Sequence, residues 1–151
     1  MGIDKPGPTV RHTASREEVE RLLARIRKVP GYVYPFHTYL AEHDFSWLDA
    51  HQDWYEQIRA ERWLPLKYKE LLFVTAGLLK LFEPGVRTHI TKALELGATP
   101  DEILETIEVA AHTGGGAIPV LGVRVLIEVL EGRELPKGPE WVAAQTRDRH
   151  R

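Results

Sequence analysis

Cysteine is absent from this 151-residue sequence. Its absence excludes disulfide bonds, thiolate nucleophiles, CxxC redox motifs and cysteine metal ligands, because each of them needs a thiol. A chain without cysteine fits a reducing compartment, and the N-terminal residues MGIDKPGPTVRHTAS lack the apolar core of a secretory signal. We therefore expect a cytoplasmic protein whose chemistry rests on other side chains.

The sequence also lacks a long apolar run and an excess of charge of one sign. Its most apolar stretch, residues 117–130, is shorter than a bilayer span and contains Arg124 and Glu128, which argues against a membrane partner. The sequence contains twenty basic and twenty-two acidic residues, which gives a formal net charge of -2, and it has no long basic stripe. Nucleic acid is therefore not an expected partner, since phosphate binding needs clustered positive charge.

The spacing of apolar residues predicts an all-α fold, because no stretch alternates with period two for long enough to form a strand. We expect about six to seven helices, begun by caps such as Ser15 and Thr99 and separated by prolines and glycines. The predicted helices span residues 15–29, 35–42, 46–60, 67–82, 84–96, 100–113 and 117–131. Residues 1–14 are expected to form a flexible arm, and residues 15–151 a single helical domain with a short helix near Trp141.

Aromatic and histidine residues are concentrated between residues 32 and 63. They could form an aromatic cover packed over the core, or the wall of a substrate pocket. His37, His43 and His51 could meet only through the tertiary fold, because no two histidines share a helix face at i, i+4 and no HExxH motif occurs. We therefore do not expect a metal site.

Glu70 is the acidic residue that stands out on physical grounds. It lies on a predicted helix with Phe73, Val74 and Gly77 along its own face, so its carboxylate needs a partner or a proton. A carboxyl group in such a place suits proton transfer. The alternative is a structural role, either in a buried ion pair or as a carboxylate at the surface of a helix end.

Two histidines outside the aromatic segment could take part in the same chemistry. His89 lies on an apolar face of the helix that follows Pro84, where it could be a catalyst or a packed core residue. His112 ends its helix directly before three glycines, residues 114–116, and an imidazolium there would be stabilised by the helix C-terminus. The glycines could allow close helix packing or bring backbone N–H groups to a ligand.

The segment from Glu70 to about Leu130 resembles the carboxymuconolactone decarboxylase family, which includes the alkylhydroperoxidase D-like proteins. The strongest part of the match is HITKALELGATPDEILETI, which is similar to the family element His-x3-Ala-Leu-x2-Gly-Ala-Thr-x2-Glu-Ile. The resemblance implies an orthogonal helical bundle of the alkylhydroperoxidase D-like type, with a family-like core over residues 64–131 and a tail over 132–151. It also implies a homo-oligomer, a trimer or a hexamer.

The peroxidase branch of that family has Glu, eleven residues, Cys, two residues, Cys, three residues and His. On this chain the pattern matches at Glu70 and His89, whereas its cysteine positions fall on Phe82 and Gly85. The resemblance thus implies the family fold without thiol peroxidase chemistry. The decarboxylase branch also lacks the cysteine pair, keeps a histidine that matches His89, and acts on lactone carboxylates without a metal or an organic cofactor.

Our leading hypothesis is a cofactor-free carbon-carbon lyase or isomerase, similar to carboxymuconolactone decarboxylase, for a small carboxylated, lactone or keto substrate. The catalytic candidates are Glu70, His89 and His112, with His89 as the proton carrier. The candidate substrate-binding residues are Phe82, Gly85, Arg87 and Gly115. Two other classes stay open: a non-catalytic small-molecule binding protein, and a structural oligomer in which Glu70 pairs with Lys or Arg.

Overall fold

The computed structural model describes residues 14–29 and 31–135 of the chain. Within these ranges the chain forms seven α-helices and no β-strand, which confirms the all-α fold class. Each predicted helix in these ranges is present, with ends that differ by at most three residues. The helices are α1 (Arg16–Lys28), α2 (Pro35–His43), α3 (Phe45–Arg59), α4 (Leu66–Leu79), α5 (Glu83–Glu95), α6 (Pro100–Gly114) and α7 (Ala117–Glu131).

Two predictions fall outside the described residues: nearly all of the flexible arm, and the short helix near Trp141. In the part of the chain that is described, no helix is both long enough and apolar enough to cross a membrane. The chain divides into two compact units, Met1–Ala60 and Glu61–Arg151. The first contains α1, α2 and α3, and the second contains the other four helices.

The first unit is built around the apolar face of α1. This helix begins at a capping box, in which the Glu18 N–H donates to Ser15 Oγ at 3.3 Å and the Ser15 N–H donates to the Glu18 carboxylate at 2.7 Å. Arg25 of α1 forms ion pairs of 2.8 Å and 2.6 Å with carboxylates of α3. The small core consists of Leu22, Ile26, Ala41 and Leu48.

Several of the aromatic residues that could have covered the core lie at the surface. Trp47 and Trp54 on α3 are more than half exposed, and Trp63, in the second unit, is 94% exposed. Trp47 stacks on His51, with ring centroids 5.1 Å apart. The interpretation as a packed aromatic cover is therefore wrong for these tryptophans, because the buried face of α3 is formed by other residues, such as Leu48.

The second unit holds the larger core, in which α4 packs against α5, α6 and α7. The close approach of α6 and α7 requires glycine at position 122, since a Cβ atom on Gly122 would lie 2.8 Å from the Ile107 side chain. Residues that are completely buried in this core include Val74, Leu78, Val86, Ile90, Ile103, Ile107 and Val125. These helices position the residues that the sequence singles out for chemistry.

The sequence of α4 is apolar on nearly every side, which is typical of a buried helix, yet α4 is not buried on all sides. Glu70, Val74 and Leu78 are buried, whereas Leu72 is 59% exposed and Leu79 is also at the surface. The three other helices of the unit contact α4, but they leave the stripe with Leu72 uncovered. One apolar face of α4 therefore remains open within the described residues.

A tight turn joins α4 to α5. The Leu81 N–H donates to the Leu78 carbonyl and the Phe82 N–H donates to the Gly77 carbonyl, both at 2.9 Å, which is the hydrogen-bond pattern of a Schellman motif. Leu81 occupies the left-handed position of this motif with φ 52°, and no other non-glycine residue in the described ranges has a positive φ. Glycine is the usual residue there, because a side chain crowds the backbone in that conformation.

Candidate active site

Glu70 and His89 form a buried pair. Glu70 comes from α4 and His89 from α5, and His89 Nδ1 lies 2.7 Å from Glu70 Oε2. The Glu70 side chain is fully buried, and the His89 side chain is 13% exposed. The structure thus brings together the two residues that the family spacing pairs.

Phe73 holds the other side of the imidazole. It lies almost one turn after Glu70 on α4 and stacks on the His89 ring, with centroids 4.8 Å apart and an interplanar angle of 25°. A ring held at Nδ1 and on one face has little freedom to rotate. Within the described ranges nothing hydrogen-bonds to Nε2, so this nitrogen can exchange a proton with a bound molecule. The contact between Phe73 and His89 was not predicted, although Phe73 was placed on the Glu70 face.

Arg87 is bound by acidic residues of the protein itself. Its guanidinium donates to Glu128 on α7 and lies 3.4 Å from Glu83, one turn earlier on α5. Arg124 on α7 completes the cluster, at 2.7 Å from Glu83 and 2.9 Å from Glu128. A substrate carboxylate would have to compete with two carboxylates for the Arg87 guanidinium.

Glu128 stays ionised in this cluster although its side chain is fully buried. Burial alone would raise the pKa of the Glu128 carboxyl, but hydrogen bonds from Arg87, the Leu135 N–H and Arg124 lower that pKa below its usual value. The hydrogen bond to Glu83 raises the pKa of Arg124. Sequence reasoning missed this cluster, although each helix carries a Glu and an Arg four residues apart, a spacing that signals ion pairs.

His112 and Gly115 lie at the end of α6. His112 is exposed, and it makes no hydrogen bond or ring contact with any residue in the described ranges. Gly115 has φ 78°, and its N–H donates to the Ala111 carbonyl at 2.9 Å. That N–H closes the helix and is not open to a ligand. Neither residue hydrogen-bonds to Glu70 or His89.

Phe82 and Gly85 touch each other at the start of α5. A Cβ atom on Gly85 would lie 2.6 Å from a ring carbon of Phe82, so the ring lies directly on the glycine. Gly85 is buried beneath it, whereas Phe82 is 51% exposed. The positions of the family's cysteine pair therefore carry an apolar surface one helical turn before His89.

The histidines of the aromatic segment have local partners. His37 Nδ1 accepts the Tyr34 N–H at 2.9 Å, and His43 Nδ1 lies 2.8 Å from the Tyr39 carbonyl. Burial, together with the nearby His51, lowers the pKa of His37. Among the residues described, no three His, Asp or Glu side chains are arranged to hold a metal ion.

A cleft of about 490 Å³ opens between α4 and α6. Its lining residues are Leu64, Tyr68, Leu71, Leu72, Thr75, Glu102, Glu105, Thr106 and Val109. Lys67 pairs with Glu102 at 2.8 Å, and this pair lowers the pKa of the Glu102 carboxyl. Neither Glu70 nor His89 lines the cleft, so a molecule bound there would not touch the pair.

Comparison with known proteins identifies the family. The model of the carboxymuconolactone decarboxylase family matches residues 47–126, more than half of the chain, and begins in the aromatic segment, upstream of the predicted start at 64. A crystal structure of a provisionally named carboxymuconolactone decarboxylase from Burkholderia xenovorans LB400 shares the fold, with a TM-score of 0.68 and 22% identity, over 78% of this chain and 92% of that chain. No curated protein matches the sequence. By its family match, this chain belongs to the carboxymuconolactone decarboxylase family.

Proposed function

We propose that this protein is a cofactor-free lyase or isomerase that acts on a small carboxylated lactone or keto substrate. The observation that carries the proposal is the 2.7 Å contact between a completely buried carboxylate and an imidazole. An acid and a histidine in such contact can hold and move a proton, whereas an exposed pair would exchange it with water. Family membership supports the reaction class.

In the proposed decarboxylation, the bond between the substrate carbon and its carboxylate breaks and CO2 leaves. The electron pair of that bond is delocalised into the neighbouring carbonyl as an enolate. His89, as imidazolium, then donates its Nε2 proton to the enolate carbon, and a proton from solvent restores it. An isomerase would use the same nitrogen first as a base, removing a proton from a carbon next to the carbonyl.

Glu70 acts in this mechanism as a positioning residue. Its carboxylate accepts the Nδ1–H of His89, which directs Nε2 away from α4 and stabilises the imidazolium before the proton leaves. Arg87 is a weaker candidate for the substrate carboxylate, because Glu83 and Glu128 already occupy its guanidinium. The proposed proton transfer therefore rests on the Glu70–His89 pair and not on Arg87.

A second candidate function is that of a structural or small-molecule binding protein without turnover. It is favoured by the cleft between α4 and α6, which has no contact with the pair, and by the low exposure of His89. A ligand that binds in this cleft and is recovered unchanged would support this alternative.

The experiment is an assay with carboxymuconolactone, the compound in the family name, in D2O. The native chain is expected to release CO2 and to incorporate one solvent deuterium at a carbon of the product. His89→Ala should lower the rate of both signals by about 10²-fold or more. His112→Ala is the matched control, because His112 is an exposed histidine in the same unit. Equal activity of the native chain and His89→Ala would refute the proposed mechanism.

We also propose that the chain forms a homo-oligomer. Exposed apolar residues on α4 and α7 support it, among them Leu72, Leu79, Val120 and Leu130, because subunit interfaces bury such residues. Light scattering should report a mass above that of the 17.2 kDa chain at micromolar concentration. A monomer throughout that range would contradict the proposal.

A further inference from the structure

The start of α2 is held by the side chain of His37. This histidine is the third residue of the helix, and its Nδ1 accepts the N–H of Tyr34, the residue directly before the helix, at 2.9 Å. Glutamate or glutamine usually fills this role, because a side chain at the third position can reach back to that N–H. His37 is only 6% exposed. The start of α2 therefore depends on a buried imidazole that acts as a hydrogen-bond acceptor.

This hydrogen bond determines which nitrogen of His37 carries the proton. A ring nitrogen that accepts from an N–H has no proton of its own, so the neutral ring must carry its proton on Nε2. Protonation of the ring would turn Nδ1 into a second donor that faces the donor N–H of Tyr34. The hydrogen bond and the imidazolium therefore exclude each other.

The surroundings of His37 also disfavour a positive charge. Burial and the nearby His51 of α3 lower the pKa of His37, and the positive end of the α2 dipole acts in the same direction. The other helix packed on α2 is α1, which contributes the apolar residues Leu22 and Ile26 to the shared core. In the described part of the chain no carboxylate is paired with His37, so protonation would place an uncompensated charge there.

His43, at the other end of the same helix, has the opposite arrangement. Its Nδ1 lies 2.8 Å from the Tyr39 carbonyl, so this nitrogen must carry a proton and donate it. That hydrogen bond persists when the ring becomes an imidazolium, and the C-terminus of a helix favours a positive charge. The two histidines of α2 should therefore respond to acid in opposite ways.

We propose that His37 is a pH-sensitive cap, which holds the segment before α2 in place near neutral pH and releases it when the imidazole takes up a proton. The Tyr34 ring packs against both Tyr32 and His37, with centroids 4.7 Å and 5.9 Å away, so loss of the cap loosens this aromatic corner as well. An unfolded histidine has a pKa of about 6.5, and the folded pKa of His37 is lower. The stability of the corner is therefore complete above about pH 6.5 and is lost as the pH falls from there towards the folded pKa.

The first test determines the position of the ring protons in the native chain by 15N NMR. At about pH 8 histidine side chains are neutral, so each ring shows one tautomer. His37 should have its proton on Nε2, and His43 should have its proton on Nδ1. A proton on Nδ1 of neutral His37 would overturn the proposal, because that ring could not accept the Tyr34 N–H.

The second test compares the amide hydrogen exchange of Tyr34 at about pH 7.5 and about pH 5, on either side of the usual histidine pKa. In the native chain the protection factor, corrected for the intrinsic rate at each pH, should fall about 2- to 10-fold, the range that one hydrogen bond contributes. His37→Gln should keep the protection and lose its dependence on pH, because glutamine offers an acceptor that does not titrate. His43→Gln is the matched control and should behave like the native chain.

The same pH dependence in the native chain and in His37→Gln would overturn the proposal, since another group would then be responsible. Folding of each variant is checked by circular dichroism. If His37→Gln does not fold, the native chain alone decides the question: the ring signals of His37 report its titration, and protection at Tyr34 should fall as His37 gains its proton. Constant protection at Tyr34 while His37 titrates would refute the assignment of His37 as a pH-sensitive cap.

Discussion

Two buried carboxylates of the second unit bind residues of α5, and their environments differ. Glu70 comes from α4 and meets the imidazole of His89, whereas Glu128 comes from α7 and meets the guanidinium of Arg87. Both side chains are fully buried. Glu128 is surrounded by permanent donors, because Arg124 and the Leu135 N–H also bind it.

The difference separates a group that holds structure from a group that can carry chemistry. A guanidinium keeps its proton at any pH at which the protein folds, so the Glu128 cluster has a single protonation state near neutrality. An imidazole can both donate and accept a proton, so His89 beside Glu70 can pass a proton on. The two carboxylates are equally buried, and their partners distinguish them.

The largest expected effect comes from removing the imidazole. We predict that His89→Ala lowers the chemical step by about 10²- to 10⁴-fold, the usual contribution of a positioned acid or base. Turnover should be measured against pH for both proteins. A packed core histidine would instead leave turnover per folded molecule and its pH profile unchanged while lowering the melting temperature.

The next effect concerns the carboxylate that positions the imidazole. We predict that Glu70→Gln keeps the fold and lowers kcat by about 10²-fold, because an amide keeps the shape of the side chain but loses the charge that stabilises the imidazolium. The pH profile of the remaining activity should also shift. A lower melting temperature with normal turnover per folded molecule would assign Glu70 a structural role instead.

The same substitution at the other carboxylate should have the opposite outcome. We predict that Glu128→Gln lowers the free energy of unfolding by about 3 kcal/mol, the lower end of the range for breaking a buried ion pair, because Arg87 and Arg124 keep some contact with solvent. Turnover per folded molecule should stay close to the native value, because the ion-pair partners of Glu128 are Arg87 and Arg124 and not His89. Urea unfolding measures the first quantity.

Acid provides a second check on Glu128. Because its folded pKa is lowered, its stabilising contribution is present above the pKa of an unfolded glutamate, about 4.3, and is lost as pH falls through the folded pKa. The native chain should therefore lose stability as pH decreases below about 4.3, and Glu128→Gln should lose less. Parallel pH curves for the two proteins would show that the cluster does not contribute.

The smallest effect concerns the ends of the two helices that carry these carboxylates. The left-handed residue that follows α7 is Gly132, with φ 64°, whereas the one that follows α4 is Leu81, with φ 52°. We predict that Leu81→Gly raises the free energy of unfolding by about 0.5–1 kcal/mol, since relief of the left-handed strain exceeds the added flexibility of the unfolded chain. Thermal unfolding checks it, with Leu79→Gly as a destabilising control inside the helix. A lower stability of Leu81→Gly would show that the Leu81 side chain contributes contacts that outweigh the strain.

Local signals in the sequence were enough to predict where the helices lie. The capping boxes at Ser15 and Thr99 begin α1 and α6 where they were expected, because a cap satisfies backbone groups within the same few residues. The missing thiols also follow from the sequence alone. Solvent exposure was predicted less well: α4 reads as apolar on all sides, yet which of its faces finds a neighbour depends on helices far along the chain.

The tertiary structure determines which side chains pair with one another. Glu70 and His89 are 19 residues apart, and the spacing of the family motif suggested a common site, but the 2.7 Å contact and the stacking of Phe73 exist only once α4 and α5 pack. The sequence indicates that Arg87 could bind a substrate carboxylate, but in the structure its guanidinium binds Glu128, which is 41 residues away. The physical reason is the distance along the chain over which each effect acts. Caps and helical periodicity act within one or two turns of a helix. A buried charge is instead paired with whichever side chain the packing of distant helices brings to it.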